Sequence, residues 1–109
     1  MSATTIQLAG RTIHIRVVKD LRDEEGNPAD GIWHDEANGD GEIHIDEAII
    51  NSPRRVRETL IHEMLHAIES TAGIELGETK VTIFAALLEQ ALGAWFKPSL
   101  TMGHYYVTP

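Results

Sequence analysis

The chain contains no cysteine, which excludes disulfide cross-links and thiolate metal ligands and leaves any bound metal to imidazole and carboxylate donors. Basic residues are also scarce: 9 Lys and Arg stand against 17 Asp and Glu, a formal net charge of −8. A surface of that sign repels a phosphate backbone and argues against nucleic acid as the main partner. No apolar run is long enough to cross a bilayer; the most apolar stretch, Val81 to Phe96, is short and interrupted by Glu89 and Gln90. The opening residues Met1 to Gln7 lack the basic and apolar parts of a secretory leader, so the cytoplasm is the expected compartment. Repeats, low-complexity tracts and Pro/Gly-rich linkers are missing too. With 109 residues, the chain has room for one core, and a single domain over residues 1–109 is expected.

What is present divides into a β half and an α half. Thr12 to Val18 alternates apolar and polar residues at period two and follows a short Ile6–Leu8 run, with Ala9-Gly10 as the turn between them. Asp20 to Asp30 reads as a polar loop around Gly26-Asn27-Pro28. Gly31 to His34 and Glu42 to Asp46 flank Asn38-Gly39 and Asp40-Gly41, dipeptides that favour hairpin turns. Residues 1–50 are thus mainly β. Two helices are predicted within residues 53–97, at about Pro53–Ala72 and Gly77–Phe96, and residues 98–109 form a tail. Strands followed by helices imply an α+β fold, a small antiparallel sheet of three or four strands laid against a helix pair.

The first helix carries the most informative stretch, His62-Glu63-Met64-Leu65-His66, an HExxH pattern. Histidines at i and i+4 lie one turn apart on one helix face, where both imidazoles can bind a single cation. Glu63 projects beside them, placed to reach a metal-bound water. The context is helical. Ser52-Pro53 is a start signal, Gly73 a stop, and Val56, Leu60, Met64, Ala67 and Ile68 form an apolar stripe beside the histidine face.

A catalytic zinc site takes three protein ligands. The longer HExxHxxGxxH pattern is absent, since position 69 is Glu69 and position 72 is Ala72. The third ligand is then a carboxylate, with Glu75, Glu78 and Glu89 as candidates together with Glu69 on the motif helix itself. In an antiparallel helix pair Glu78 faces His66 only if the second helix begins near Ile74 or the first ends by about Ser70. Glu89 shares the face of Glu78 but lies ~16 Å further along, so only one of the two can serve.

The run from Glu78 to Leu88, with its Glu, its small apolar position and its Phe84-Ala85, completes a pattern with HExxH. Together they resemble the gluzincin-type core of the ImmA/IrrE and SprT-like metallopeptidases, most of all the short forms of bacteriophages and prophages. The likeness covers about residues 40–96; Val81 departs from it, standing where longer relatives carry Ala followed by Asn. The resemblance implies one Zn²⁺ per chain held by His62, His66 and Glu78, a peptide or protein substrate, Glu63 as general base, and residence in a bacterial host's cytoplasm. The alternative function is a catalytically silent, zinc-stabilised phage or prophage interaction protein.

Other features compete for a role. The strand Glu42–Asp46, just upstream of the motif helix, is a candidate edge for pairing with an extended substrate, its Ile43 and Ile45 facing the core. Residues 36–47, with Glu36, Asn38, Asp40, Gly41 and Glu47, mimic much of a calcium loop; the first position is Glu, however, no helix leads in, and a plain β-turn is favoured. Arg54, Arg55 and Arg57 read as a solvated face or a modest docking spot. His14, His34 and His44 read as ordinary strand histidines. His104, Tyr105 and Tyr106 in the tail carry donors that could stabilise an oxyanion, although a partner-binding or unstructured end is preferred.

Overall fold

The computed structural model describes residues 5–93. β1 (Thr5–Leu8) and β2 (Arg11–Val18) form an antiparallel hairpin with Thr5 opposite His14 and Leu8 opposite Arg11. Ala9 and Gly10, at φ 50° and 83°, make its two-residue turn. Positive φ at both central positions matches the turn to the twist of the strands it joins. After the polar excursion, β3 (Gly31–Asp35) and β4 (Gly41–Asp46) form a second antiparallel hairpin, closed by Gly39 at φ 92°.

The architecture is α+β as expected, but the sheet is mixed rather than purely antiparallel. Its order is β1-β2-β4-β3, and β4 runs parallel to β2 with Ile15 beside Ile43 and Val17 beside Ile45. The reason lies in burial. Ile43 and Ile45 are fully buried, so β4 takes the centre, while β3 carries the part-exposed Trp33 and the exposed His34 and Asp35 and takes the edge. Residues 19–30 are long enough to carry the chain past the slot that β4 fills.

A short 3₁₀ turn (Glu47–Ile49) leads into α1 (Pro53–Ala72), whose Val56, Leu60 and Ala67 pack with Ile13, Ile43, Ile45 and Ile49 into the core. Its ends follow the predicted signals in part. Pro53 occupies the first turn and Gly73 closes the helix at φ 67°, but Ser52 makes no side-chain capping bond. Met64 is only partly buried, and Ile68 lies exposed at the edge of the stripe.

α2 (Glu78–Leu92) packs on α1 through Val81, Ala85 and Glu89, spaced four apart. Its other flank leaves Ile83, Phe84, Leu87, Leu88 and Leu92 exposed. Residues 94–96 of the expected helix and the tail at 98–109 lie outside the described residues. Among the described residues, no helix is long and apolar enough to cross a membrane.

Candidate metal centre

On α1 the His62 and His66 rings stand 5.0 Å apart, the spacing that i and i+4 impose. Glu78, the first residue of α2, reaches both. Its Oε1 lies 2.7 Å from His62 Nε2 and its Oε2 lies 3.0 Å from His66 Nε2. One ligand atom from each residue falls within 4.8 Å of the others, so the three form a group that could hold a metal ion. Two neutral imidazole nitrogens and one carboxylate oxygen form a donor set of borderline hardness, suited to a divalent ion with coordination positions left open. The histidine side chains are 23% and 25% exposed and that of Glu78 is 67% exposed, so the group opens to solvent on one side.

Neither helix boundary predicted for a Glu78 ligand is found: α1 continues to Ala72 and α2 starts only at Glu78 itself. The backbone after Gly73 doubles back along α1 instead. Glu69 accounts for this. Its Oε2 accepts the Leu76 amide at 2.6 Å and the Gly77 amide at 3.2 Å, drawing the turn down beside α1 before α2 begins. Its Oε1 lies 2.7 Å from His66 Nδ1. The Leu76 amide, then the His66 ring and the Gly77 amide, hold the Glu69 carboxyl below its ordinary range. Glu69 is therefore a neighbour of the metal group and not a member of it, a role that HExxH spacing alone does not signal.

Glu63 lies between α1 and β3, against Gly31. It is 7% exposed and lines the same cleft as the two histidines. Burial pushes its carboxyl up to about 7; the nearby His66 acts against the rise and Glu78 adds to it. A carboxyl poised there can both accept and return a proton near neutral pH.

The cleft has a volume of about 850 Å³ and runs between β3 and the second half of α1. Its border strand is β3, not the Glu42–Asp46 strand expected for that role, because β4 is enclosed by β2 and β3. One end is fastened by Arg11, whose guanidinium pairs with Asp35 at 2.7 Å, bonds Thr71 at 2.9 Å and lies over Trp33. The Ser70 hydroxyl, then Arg11, holds the Asp35 carboxyl below its usual range. No sequence motif announces this brace.

The remaining candidates are elsewhere. Glu75 lines the cleft outside the metal group. Glu89 is no ligand: it is 5% exposed and receives Arg57 at 2.9 Å and Arg54 at 3.6 Å. Arg54 and Arg55 form the exposed face expected of them, with Arg55 paired to Asp30 at 2.8 Å, and only Arg57 is drawn in against Glu89. The calcium loop does not form; residues 36–40 turn the hairpin, and Glu42 pairs with Arg16 and His44 in β4. His34 packs against His44 at 4.6 Å, and burial followed by that neighbour lowers its pKa. His104, Tyr105 and Tyr106 lie outside the described residues.

Compared with known proteins, the chain matches no family model, no curated protein and no solved structure.

Proposed function

We propose that the chain is a zinc-dependent peptidase that cleaves peptide bonds with water. The observation that carries this reading is the convergence of His62, His66 and Glu78 in a cleft that also holds the buried Glu63. A purely structural metal site has no use for a buried carboxyl beside an open coordination position. Bound Zn²⁺ supplies Lewis acidity, polarising a carbonyl and bringing the pKa of a water down to ~7. His62, His66 and Glu78 hold the ion. Glu63 takes the proton of the attacking water and returns it to the departing amine. Gly31 to Asp35, an edge strand beside the site, offers backbone groups with which an extended peptide can pair.

The second reading, a zinc-stabilised interaction protein without turnover, draws on the exposed apolar flank of α2. Elemental analysis and a peptide-hydrolysis assay separate the two. About one zinc per chain is expected in the wild type, lost in His66→Ala and reduced in Glu78→Ala, while Glu63→Gln keeps zinc and loses hydrolysis. Zinc without hydrolysis of any peptide in a mixed library favours the interaction protein. No zinc under replete conditions sinks both.

A further inference from the structure

We propose that Glu69 is a positioning residue that couples metal capture to the turn between the helices: one oxygen sets the His66 ring, the other sets the backbone that delivers Glu78. The inference rests on the reading that His62, His66 and Glu78 hold a metal.

Consider first the ring. An imidazole binds a metal through a nitrogen that carries no proton, so the proton must sit on the other nitrogen. Glu69 Oε1, 2.7 Å from His66 Nδ1, accepts a hydrogen bond from an N–H there, which keeps the proton on Nδ1 and leaves Nε2, the nitrogen that faces Glu78, without one. A carboxylate in this place selects the binding tautomer and fixes the ring's rotation.

Now the turn. Glu78 is two-thirds exposed, so packing does not hold its side chain. Its position depends on the backbone before it, and that backbone contains Gly73 and Gly77, both at positive φ, the latter immediately preceding Glu78. Glycines of this kind permit many paths and select none. The bonds from the Leu76 and Gly77 amides to Glu69 Oε2 select one. The Glu69 side chain is itself only 15% exposed and is anchored on the helix that carries both histidines. All three members of the metal group are thereby referred to a single element.

The two tasks need an acceptor on each side. Glutamine has one acceptor and one donor end. If its oxygen serves the turn, its NH₂ meets His66 Nδ1 and selects the tautomer with Nε2 protonated, which has no lone pair for a metal. If its oxygen serves His66, the NH₂ meets two backbone donors and the turn is released. A side chain that merely filled space or capped the loop would tolerate the isosteric Glu69→Gln.

The test combines zinc affinity, measured by competition with a chelator, with amide hydrogen exchange in the presence and absence of zinc. In the wild type, zinc is expected to slow exchange at Leu76 and Gly77. Glu69→Gln and Glu69→Ala should each bind zinc ~10–100-fold more weakly with unchanged helix content. Glu69→Ala should also speed exchange at those two amides in the metal-free protein. Wild-type zinc affinity in Glu69→Gln, or Leu76 and Gly77 exchange indifferent to zinc in the wild type, overturns the coupling. A wild type that takes up no zinc sinks the peptidase reading and the coupling with it. The metal-free exchange of wild type against Glu69→Ala then decides separately whether the carboxylate holds the turn.

Discussion

Gly31 lies so close to Glu63 that a β-carbon at Gly31 would stand 3.2 Å from Glu63 Cγ and 3.3 Å from its Oε2, and 2.5 Å from the Thr59 methyl. The edge strand thus touches the motif helix at the residue beside the metal group, and it does so through a position that has no side chain. That approach buries the Glu63 carboxyl.

Gly31→Ala is therefore expected to push β3 away from α1, because the nearest obstruction is a short β-branched side chain with little freedom to move. Overpacking of this kind costs about 1–3 kcal/mol. Thr59→Ser removes the obstructing methyl and should restore part of the loss in the double variant. Urea denaturation of the four proteins gives the coupling energy. Simple additivity of the two substitutions would contradict the close approach.

Glu89 and Arg57 meet at 2.9 Å across the α1–α2 interface, with side chains 6% and 21% exposed. Glu89→Ala strands that guanidinium and should lower stability by about 2–4 kcal/mol. Because Glu89 lies outside the metal group, zinc stoichiometry should not change. Glu78→Ala should do the reverse, reducing zinc while costing the metal-free fold little, since its side chain is mostly solvated. Loss of zinc in Glu89→Ala with an intact fold would reinstate it as a ligand.

The contrast between these two glutamates marks what the sequence could disclose. HExxH, the helix ends at Pro53 and Gly73, and the alternation in β2 and β4 are local patterns, and the elements they predict are those found. Glu78 and Glu89 share a helix face, so periodicity could not separate them; the separation comes from Arg57 and Arg54 on the partner helix. The parallel pairing of β2 with β4 was hidden for a similar reason. Each hairpin is encoded in its own turn, but which strand fills the centre depends on summed burial across the sheet. Glu69 was visible on the histidine face. That it reaches past the motif to Leu76 and Gly77 is a property of the turn, whose glycines leave its path undetermined until the carboxylate fixes it.

Zinc should stabilise the fold by mass action. The three donors sit on two helices, and an ion that binds only the folded arrangement adds about 4 kcal/mol at a thousand times its dissociation constant. Thermal unfolding with and without chelator should show a zinc-dependent rise in Tm for the wild type and for Glu63→Gln, and none for His62→Ala or His66→Ala. An equal rise in the histidine variants would place the ion elsewhere.

Without metal, Glu63 should make stability fall with pH. Its carboxyl titrates at about 7 in the fold against an ordinary 4.5. The folded state therefore binds the extra proton between those values. The favourable contribution is complete below ~4.5, declines as pH rises, and is gone above ~7. Asp35, Glu42 and Glu69, all held low, act in the opposite sense, their stabilisation being lost as pH falls through the acid range. Glu63→Gln isolates the one from the others, since it removes the titration and keeps the shape. In chelator the variant should gain on the wild type between pH 5 and pH 8 by on the order of 1–3 kcal/mol. Denaturant midpoints at the two pH values give the difference directly. A gap that does not change with pH would mean that Glu63 is solvated in the metal-free protein, and that the contact with Gly31 does not hold in solution.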